Sequence, residues 1–354
     1  MFNSLGNILR LTTFGESHGP AIGGALDGFP AGIAIDEDKI YQQVARRKTG
    51  QSSLTTSRQE EDKIEFFSGI KDGISTGHSM GFLVRNTNQK SEDYSHLEDV
   101  YRPSHADFTY QEKYGIRDVR GGGRASARET TNWVIGGTIA KQLIPDIQIS
   151  SFVSSVENII YNYEEHSTDL TQIESNSIRC PDNEKAKEMI AAIEKAKDDG
   201  DSVGGTITCV IKNMPIGIGE PIFHKLEAEL AKTMLTINAC KGFEIGSGFA
   251  GASMRGSMHN DIWLEKGKTA SNHSGGIQGG ISNGMDIVFR LAFKPTSTIM
   301  QNQVTINNQN EAITLEGKGR HDPCVLPRAV PIVDALAAFV LADMVLLSKI
   351  RANF

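Results

Sequence analysis

The sequence lacks the marks of several common protein classes. Its four cysteines, Cys180, Cys209, Cys240 and Cys324, stand far apart, form no CxxC pair and sit in no histidine cluster. A zinc site or a disulfide framework is therefore not expected, and no metal is assigned. No run reaches about 18 apolar residues, the length a membrane helix needs. The nearest, 329–347, is broken by Pro331, Asp334 and Asp343, so no membrane span is expected. The first ten residues hold no apolar export core, which points to the cytoplasm. A basic surplus is missing too: 36 Lys and Arg face 43 Asp and Glu, a net charge of −7. That balance argues against a nucleic-acid binder. There is no G-x-x-x-x-G-K-[ST] phosphate loop, and no G-x-G-x-x-G follows a first strand.

What is present is glycine and unevenly placed arginine. The 36 glycines cluster in doublets and one triplet, without a collagen period. Glycine grouped this way in a chain with a normal core brings backbone close to a ligand or makes tight turns. Ten of the sixteen arginines precede residue 131, and five of them lie between Arg102 and Arg128. An acidic chain with one arginine-dense segment suits a small anionic ligand in a local positive pocket.

The chain also repeats itself weakly. Gly23-Gly24, the 28–33 turn and a helical run 36–47 are matched by Gly204-Gly205, the 213–218 turn and a run 222–234. Segments 74–81 and 277–284 share I-x-x-G-x-S-x-G. Arg102-Pro103-Ser104 parallels Lys294-Pro295-Thr296, and Gly121-x-Gly123-Arg124 parallels Gly317-x-Gly319-Arg320. The order is the same throughout. The expected organisation is one domain over 1–354, made of pseudo-symmetric halves at about 1–150 and 200–354, joined by a helical insert over 151–200. Strands are predicted at 8–14 and 206–211, and helices at 36–47, 126–144, 182–197, 222–234 and 330–350. The last is apolar on nearly every face and is expected in the core. The fold class is α/β of the α+β type: an internally duplicated β-α-β sandwich with mainly antiparallel sheets and helices between them.

Five clusters carry possible chemistry. Gly15-Glu16-Ser17-His18-Gly19 follows a predicted strand and offers a histidine suited to proton exchange near neutrality, with Ser17 beside it. A hydrolase elbow needs such a serine between a strand and a helix, which this loop does not supply. Arg102 to Asp107 places His105 after a proline turn. In Arg120-Gly121-Gly122-Gly123-Arg124-Ala125-Ser126-Ala127-Arg128-Glu129, glycines free N–H groups for an anion. There Ser126 and Glu129 form a capping-box pattern that opens a helix. Arg320 and Asp322 in 317–324 read as an anion holder and a proton acceptor, or as a helix cap. Lys294-Pro295-Thr296-Ser297-Thr298 is a donor-rich turn suited to phosphate.

In this order the clusters resemble chorismate synthase over nearly the whole chain: G-E-S-H-G (15–19), R-P-x-H-A-D (102–107), G-G-G-R-x-S-A-R-E-T (121–130), K-P-T-S (294–297) and G-R-H-D-P-C (319–324). The resemblance implies a lyase that turns 5-enolpyruvylshikimate 3-phosphate into chorismate and phosphate by anti-1,4-elimination with reduced FMN. It implies a homotetramer, and an external flavin reductase as the source of reduced flavin in preference to NADPH oxidation by the protein itself. By the same resemblance His18 is the acid near the leaving phosphate, supported by Ser17. His105 protonates reduced flavin, Asp322 is the base, and Ser126 donates nearby. Arg124, Ala125, Ser126, Asn238, Ala239, Gly279, Lys294, Pro295, Thr296, Ser297, Thr298 and Arg320 are the implied FMN contacts. Arg47, Arg58 and Arg128 are implied for the substrate or NADP. Two positions depart from the family pattern. Ser53 stands where a basic residue is usual, which weakens a nicotinamide phosphate site. Asp334 stands where Glu is usual, which questions a helix contact.

Overall fold

A computed structural model describes residues 2–51, 54, 61–87, 97–317 and 321–352. Ser53, Arg58 and Arg320 lie outside them. Two five-stranded sheets, wholly antiparallel, form the frame. The first runs in the order Ser4–Leu5, Arg10–Gly15, Ala21–Asp27, Met80–Arg85, Ile64–Phe66. The second runs Ile159–Ile160, Gln148–Val156, Gly205–Lys212, Ile287–Phe293, Cys240–Ile245. Alternation fixes which face is covered: in Met80–Arg85 the buried residues are Met80, Phe82 and Val84. Helix Thr130–Lys141 lies on the first sheet, and the final helix Leu326–Ala352 lies on the second. The two helices pack on each other, so the core is a helical layer held between sheets. Adjacent glycines allow this. A Cβ on Gly136 would meet Leu11 of the first sheet, and one on Gly137 would sit 2.1 Å from the Ala335 carbonyl oxygen of the final helix.

Equivalent turns in the two halves carry the same hydrogen bonds. Ser75 Oγ donates to the Pro30 carbonyl (2.7 Å) and accepts from Ile33 N (2.9 Å). Ser282 Oγ donates to the Pro215 carbonyl (2.5 Å) and accepts from Ile218 N (2.9 Å). Single bridges Ala34–Ile74 and Gly219–Ile281 lie beside them. This pairs Ile74-Ser75 with Ile281-Ser282, and so corrects the sequence alignment of 74–81 with 277–284 by four residues. Glycine and serine recur so often in these turns that a shifted match looked as good as the true one.

Two further expectations need correction. The 151–200 segment is not a purely helical insert: it begins inside the strand Gln148–Val156, and its helix is Asn183–Asp198. The serine-rich Ser150-Ser151 and Ser154-Ser155 pairs hid that strand. The final helix begins at Leu326, not 330, and continues through Pro331. It is long and apolar enough to cross a membrane by length and composition, although no run of that length was found in the sequence, yet 78% of its most apolar window is buried inside the protein. Pro331 has no N–H for the Pro327 carbonyl, and the Arg179 guanidinium donates to that oxygen instead. Its two carboxylates are also partnered. Asp334, its pKa raised by burial, accepts from Arg46 (3.0 Å) and Ser151 N (2.8 Å), so the shorter side chain is partnered. Asp343 accepts from Asn7 N and Nδ2, Ile8 N and Leu9 N at 2.8–3.0 Å, tying the N-terminal turn to the core.

Replacing Asp343 with Ala strands three backbone N–H groups. Urea unfolding should show a loss of about 3 kcal/mol with an unchanged m value; a variant as stable as the parent would contradict this role.

Candidate active site

Loops at one end of the sandwich converge on a cleft of about 1540 Å³. It receives the end of strand Arg10–Gly15 and its following loop, the 102–107 turn and the glycine segment 121–123. It also takes the 294–298 turn after strand Ile287–Phe293, and the entry to the final helix from His321 to Arg328. Among the described residues, nine Lys and Arg side chains and five carboxylates line it. The cleft therefore reverses the sign of the chain's net charge of −7.

Arg47 is the most constrained of these cations. It ends helix Glu37–Arg47 and is 3% exposed. Its Nε donates to Thr130 Oγ1 (3.0 Å) and its Nη2 to the Ala127 carbonyl (2.5 Å), both neutral acceptors. Burial first, then the neighbouring Arg328 and Arg128 charges, hold its pKa down to about 9, against the pull of Asp62 and Asp322. Arg128 pairs with Asp62 and donates to Asn86 Oδ1 (3.0 Å). Arg328 pairs with Asp322 and donates to the Arg47 carbonyl (3.2 Å).

The glycine segment does not form the expected capping box. Ser126 caps a 3-10 turn, Ala127–Glu129, by accepting from Arg128 N (3.3 Å). Glu129 turns away from Ser126 and accepts from Arg124 (2.7 Å), Asn132 (3.0 Å) and Trp133 (3.2 Å). Burial raises its pKa. Arg124 also reaches Thr13 Oγ1 (3.0 Å), so it braces the loop carrying His18. There Ser17 Oγ donates to the Gly121 carbonyl (3.3 Å) and accepts from His18 Nδ1 (3.1 Å), which leaves Nε2 as the basic nitrogen. His18 is only 5% exposed. A Cβ on Gly121 would lie 2.2 Å from the His18 ring, and Gly121 has φ +66°.

The opposite wall joins both halves. Asn238 Nδ2 donates to the Ala125 carbonyl (2.9 Å), and Lys294 N to the Ala239 carbonyl (3.0 Å). Lys294 Nζ donates to Ser297 Oγ, which donates to the Ser104 carbonyl (3.2 Å). Thr296 Oγ1 donates to the Asp322 carbonyl (3.0 Å). His105 stands between Pro103 and Thr298, its pKa lowered by burial and then by Arg102.

Of the residues singled out in the sequence, His18, His105, Asp322, Arg47, Arg124, Arg128, Ala125, Ser126, Asn238, Ala239 and 294–298 line the cleft, with Ser17 behind His18. Gly279 does not line it: it occupies the turn between Ile277–Gln278 and Ile281–Ser282. Arg58 and Arg320 lie outside the described residues. Sequence reasoning passed over Arg328, Arg117 and His321. Arg328 was missed because the last helix was expected to begin at 330; it begins at Leu326, with Pro327 tolerated in its first turn.

Gly121→Ala should displace the His18 ring. Histidine-selective NMR of the variant should move the His18 resonances and leave those of His224 in place; unmoved His18 resonances would contradict the packing.

The profile of the chorismate synthase family matches residues 9–346. A chorismate synthase of Christiangramia forsetii is 59% identical over 347 residues, covering 98% of each chain. One of Flavobacterium psychrophilum is 58% identical over 351 residues, covering 99% of each. A crystal structure of chorismate synthase superposes with a TM-score of 0.77 at 29% identity, over 97% of this chain and 93% of that one. With a positive cleft built from the motifs of 15–19, 102–107, 121–130, 294–297 and 321–324, the chain belongs to the chorismate synthase family, the lyases that complete the shikimate pathway by converting 5-enolpyruvylshikimate 3-phosphate to chorismate and phosphate.

Proposed function

We propose that the cleft holds this substrate beside reduced FMN and performs the anti-1,4-elimination. The observation that carries the reading is the pairing of surplus guanidinium charge with two partly or fully buried histidines, His18 and His105, in one cleft. The substrate brings two carboxylates and a phosphate. Each charge-assisted contact in such a site is worth about 1.5–3 kcal/mol. Arg47, crowded by two other guanidinium groups, gains most from an anion.

The donor set also fits FMN. The Lys294 ammonium on the cleft wall suits a phosphate, and the backbone at Ala125–Ser126 and Asn238–Ala239 suits a ring edge. When bound, reduced FMN supplies the electron-rich ring that the overall redox-neutral reaction uses. The chain's residues bind, orient and move protons. His18, whose Nδ1–H is held by Ser17, serves the departing phosphate as the imidazolium, giving up the second proton that it carries at Nε2. Asp322, oriented by Arg328, takes the proton role on the opposite wall, and His105 holds the proton on the cofactor side. Arg47 lies inside the cleft, so it serves the substrate better than a separate nicotinamide site.

We further infer a cytoplasmic homotetramer supplied with reduced flavin from outside. Phe249, Met258, Ile262, Trp263 and Leu264, close in sequence and all exposed, suit association between copies.

Pure protein with chemically reduced FMN and 5-enolpyruvylshikimate 3-phosphate under anaerobic conditions should release phosphate. His18→Ala and His105→Ala should each lower kcat by about 10²–10⁴. No release by the parent, or full rates in both variants, would refute the assignment. NADPH oxidation by the pure protein with FMN would overturn the external supply.

A further inference from the structure

His105 has both ring nitrogens occupied by the protein. Nδ1 lies 3.0 Å from the Pro103 carbonyl, which only accepts, so Nδ1 carries the proton. Nε2 lies 2.9 Å from Thr298 Oγ1 and is then the acceptor of that hydroxyl. The contact joins the two halves of the chain, 193 residues apart in sequence. Its surroundings are built to hold it. Ser104, next to His105, has φ +59°, a conformation unfavourable for a residue with a side chain, and the Ser297 hydroxyl binds its carbonyl. Asp107 grips Arg102 through its backbone N (3.0 Å), Nε (2.7 Å) and Nη2 (2.8 Å), fixing the start of the same turn.

We propose that Thr298 is a positioning residue for His105, and that the ring exchanges protons with the cleft through the Thr298 hydroxyl. Inward, the hydroxyl gives its proton to Nε2 while Oγ1 takes one from the cleft. Outward, the imidazolium returns the Nε2 proton to Oγ1 and the hydroxyl releases its own. Thr298 ends each transfer unchanged, and His105 gains or loses one proton. This deepens the assignment of His105 as a proton carrier in the lyase and rests on it only for the effect on turnover. The Nε2 contact belongs to the protein alone. It also differs from a role for Thr298 as a mere FMN contact.

The test uses Thr298→Val, of similar shape without the hydroxyl, and Thr298→Ser, which restores it. The groups facing His105, namely Arg102, Asp107, Lys294 and His321, are the same in all three proteins. In the free protein, ¹⁵N NMR of labelled histidines should show Nδ1–H at His105, and its titration midpoint should shift in Thr298→Val because the ring loses its Nε2 partner, a donor to the neutral ring and an acceptor for the imidazolium. In the anaerobic assay Thr298→Val should lose about tenfold to a hundredfold in kcat, part of what general acid–base catalysis contributes. FMN affinity, read by fluorescence, should stay within about twofold. Thr298→Ser should recover the midpoint and most of the rate. An unmoved midpoint in Thr298→Val overturns the proposal whatever the activity. So does weakened FMN binding with His105 unchanged, which makes Thr298 only a cofactor contact. A moved midpoint with no phosphate release by the parent instead counts against the lyase reading and leaves the contact standing.

Discussion

The site depends on a guanidinium buried beside two others. Arg47 donates to a hydroxyl and a carbonyl, and the charges of Arg328 and Arg128 act against its own. Taking a charge out of water costs on the order of several kcal/mol. The fold meets part of that cost with Asp62 and Asp322 on the flanking arginines. The rest is available to an anionic ligand. An acidic chain thus concentrates its positive field where two helices begin.

The architecture explains why the field gathers there. Helix Thr130–Lys141 and helix Leu326–Ala352 lie against each other between the sheets, and both start at the cleft. Strands Arg10–Gly15 and Ile287–Phe293 lead into it as well. Each half thus supplies a loop after a strand and the start of a central helix. Bonds between halves then fix the geometry: Asn238 to Ala125, Ser297 to Ser104 and Thr298 to His105. Function and fold share one constraint, the seam where early and late segments of the chain meet. Carboxylates that do no chemistry hold the cations in place, as Glu129 does for Arg124 and Asp107 for Arg102.

Much of this was legible in the sequence, for physical reasons. Amphipathic period marked a helix at 182–197, and the helix Asn183–Asp198 buries Ala186, Met189, Ile193 and Ala196 on one face. Asp36 caps Glu37–Arg47 where the helix was expected to begin. The histidine, glycine and arginine clusters were legible because chemistry restricts which residues serve. Pairing was not. Nothing in the order of residues says that Glu129 turns to Arg124 instead of capping from Ser126, or that Arg179 supplies the donor Pro331 lacks. These partners lie far apart in sequence or compete within one turn, and only packing decides between them. The four-residue shift in the repeat has the same origin, since glycine and serine mark a turn without marking its register.

The most direct test of the central claim is a structure of the protein with 5-enolpyruvylshikimate 3-phosphate bound. The account predicts an anionic group of the substrate within hydrogen-bond distance of the Arg47 guanidinium, with the His18 ring facing the phosphate. Substrate bound elsewhere, or an Arg47 that keeps only its Thr130 and Ala127 partners in the complex, would contradict it.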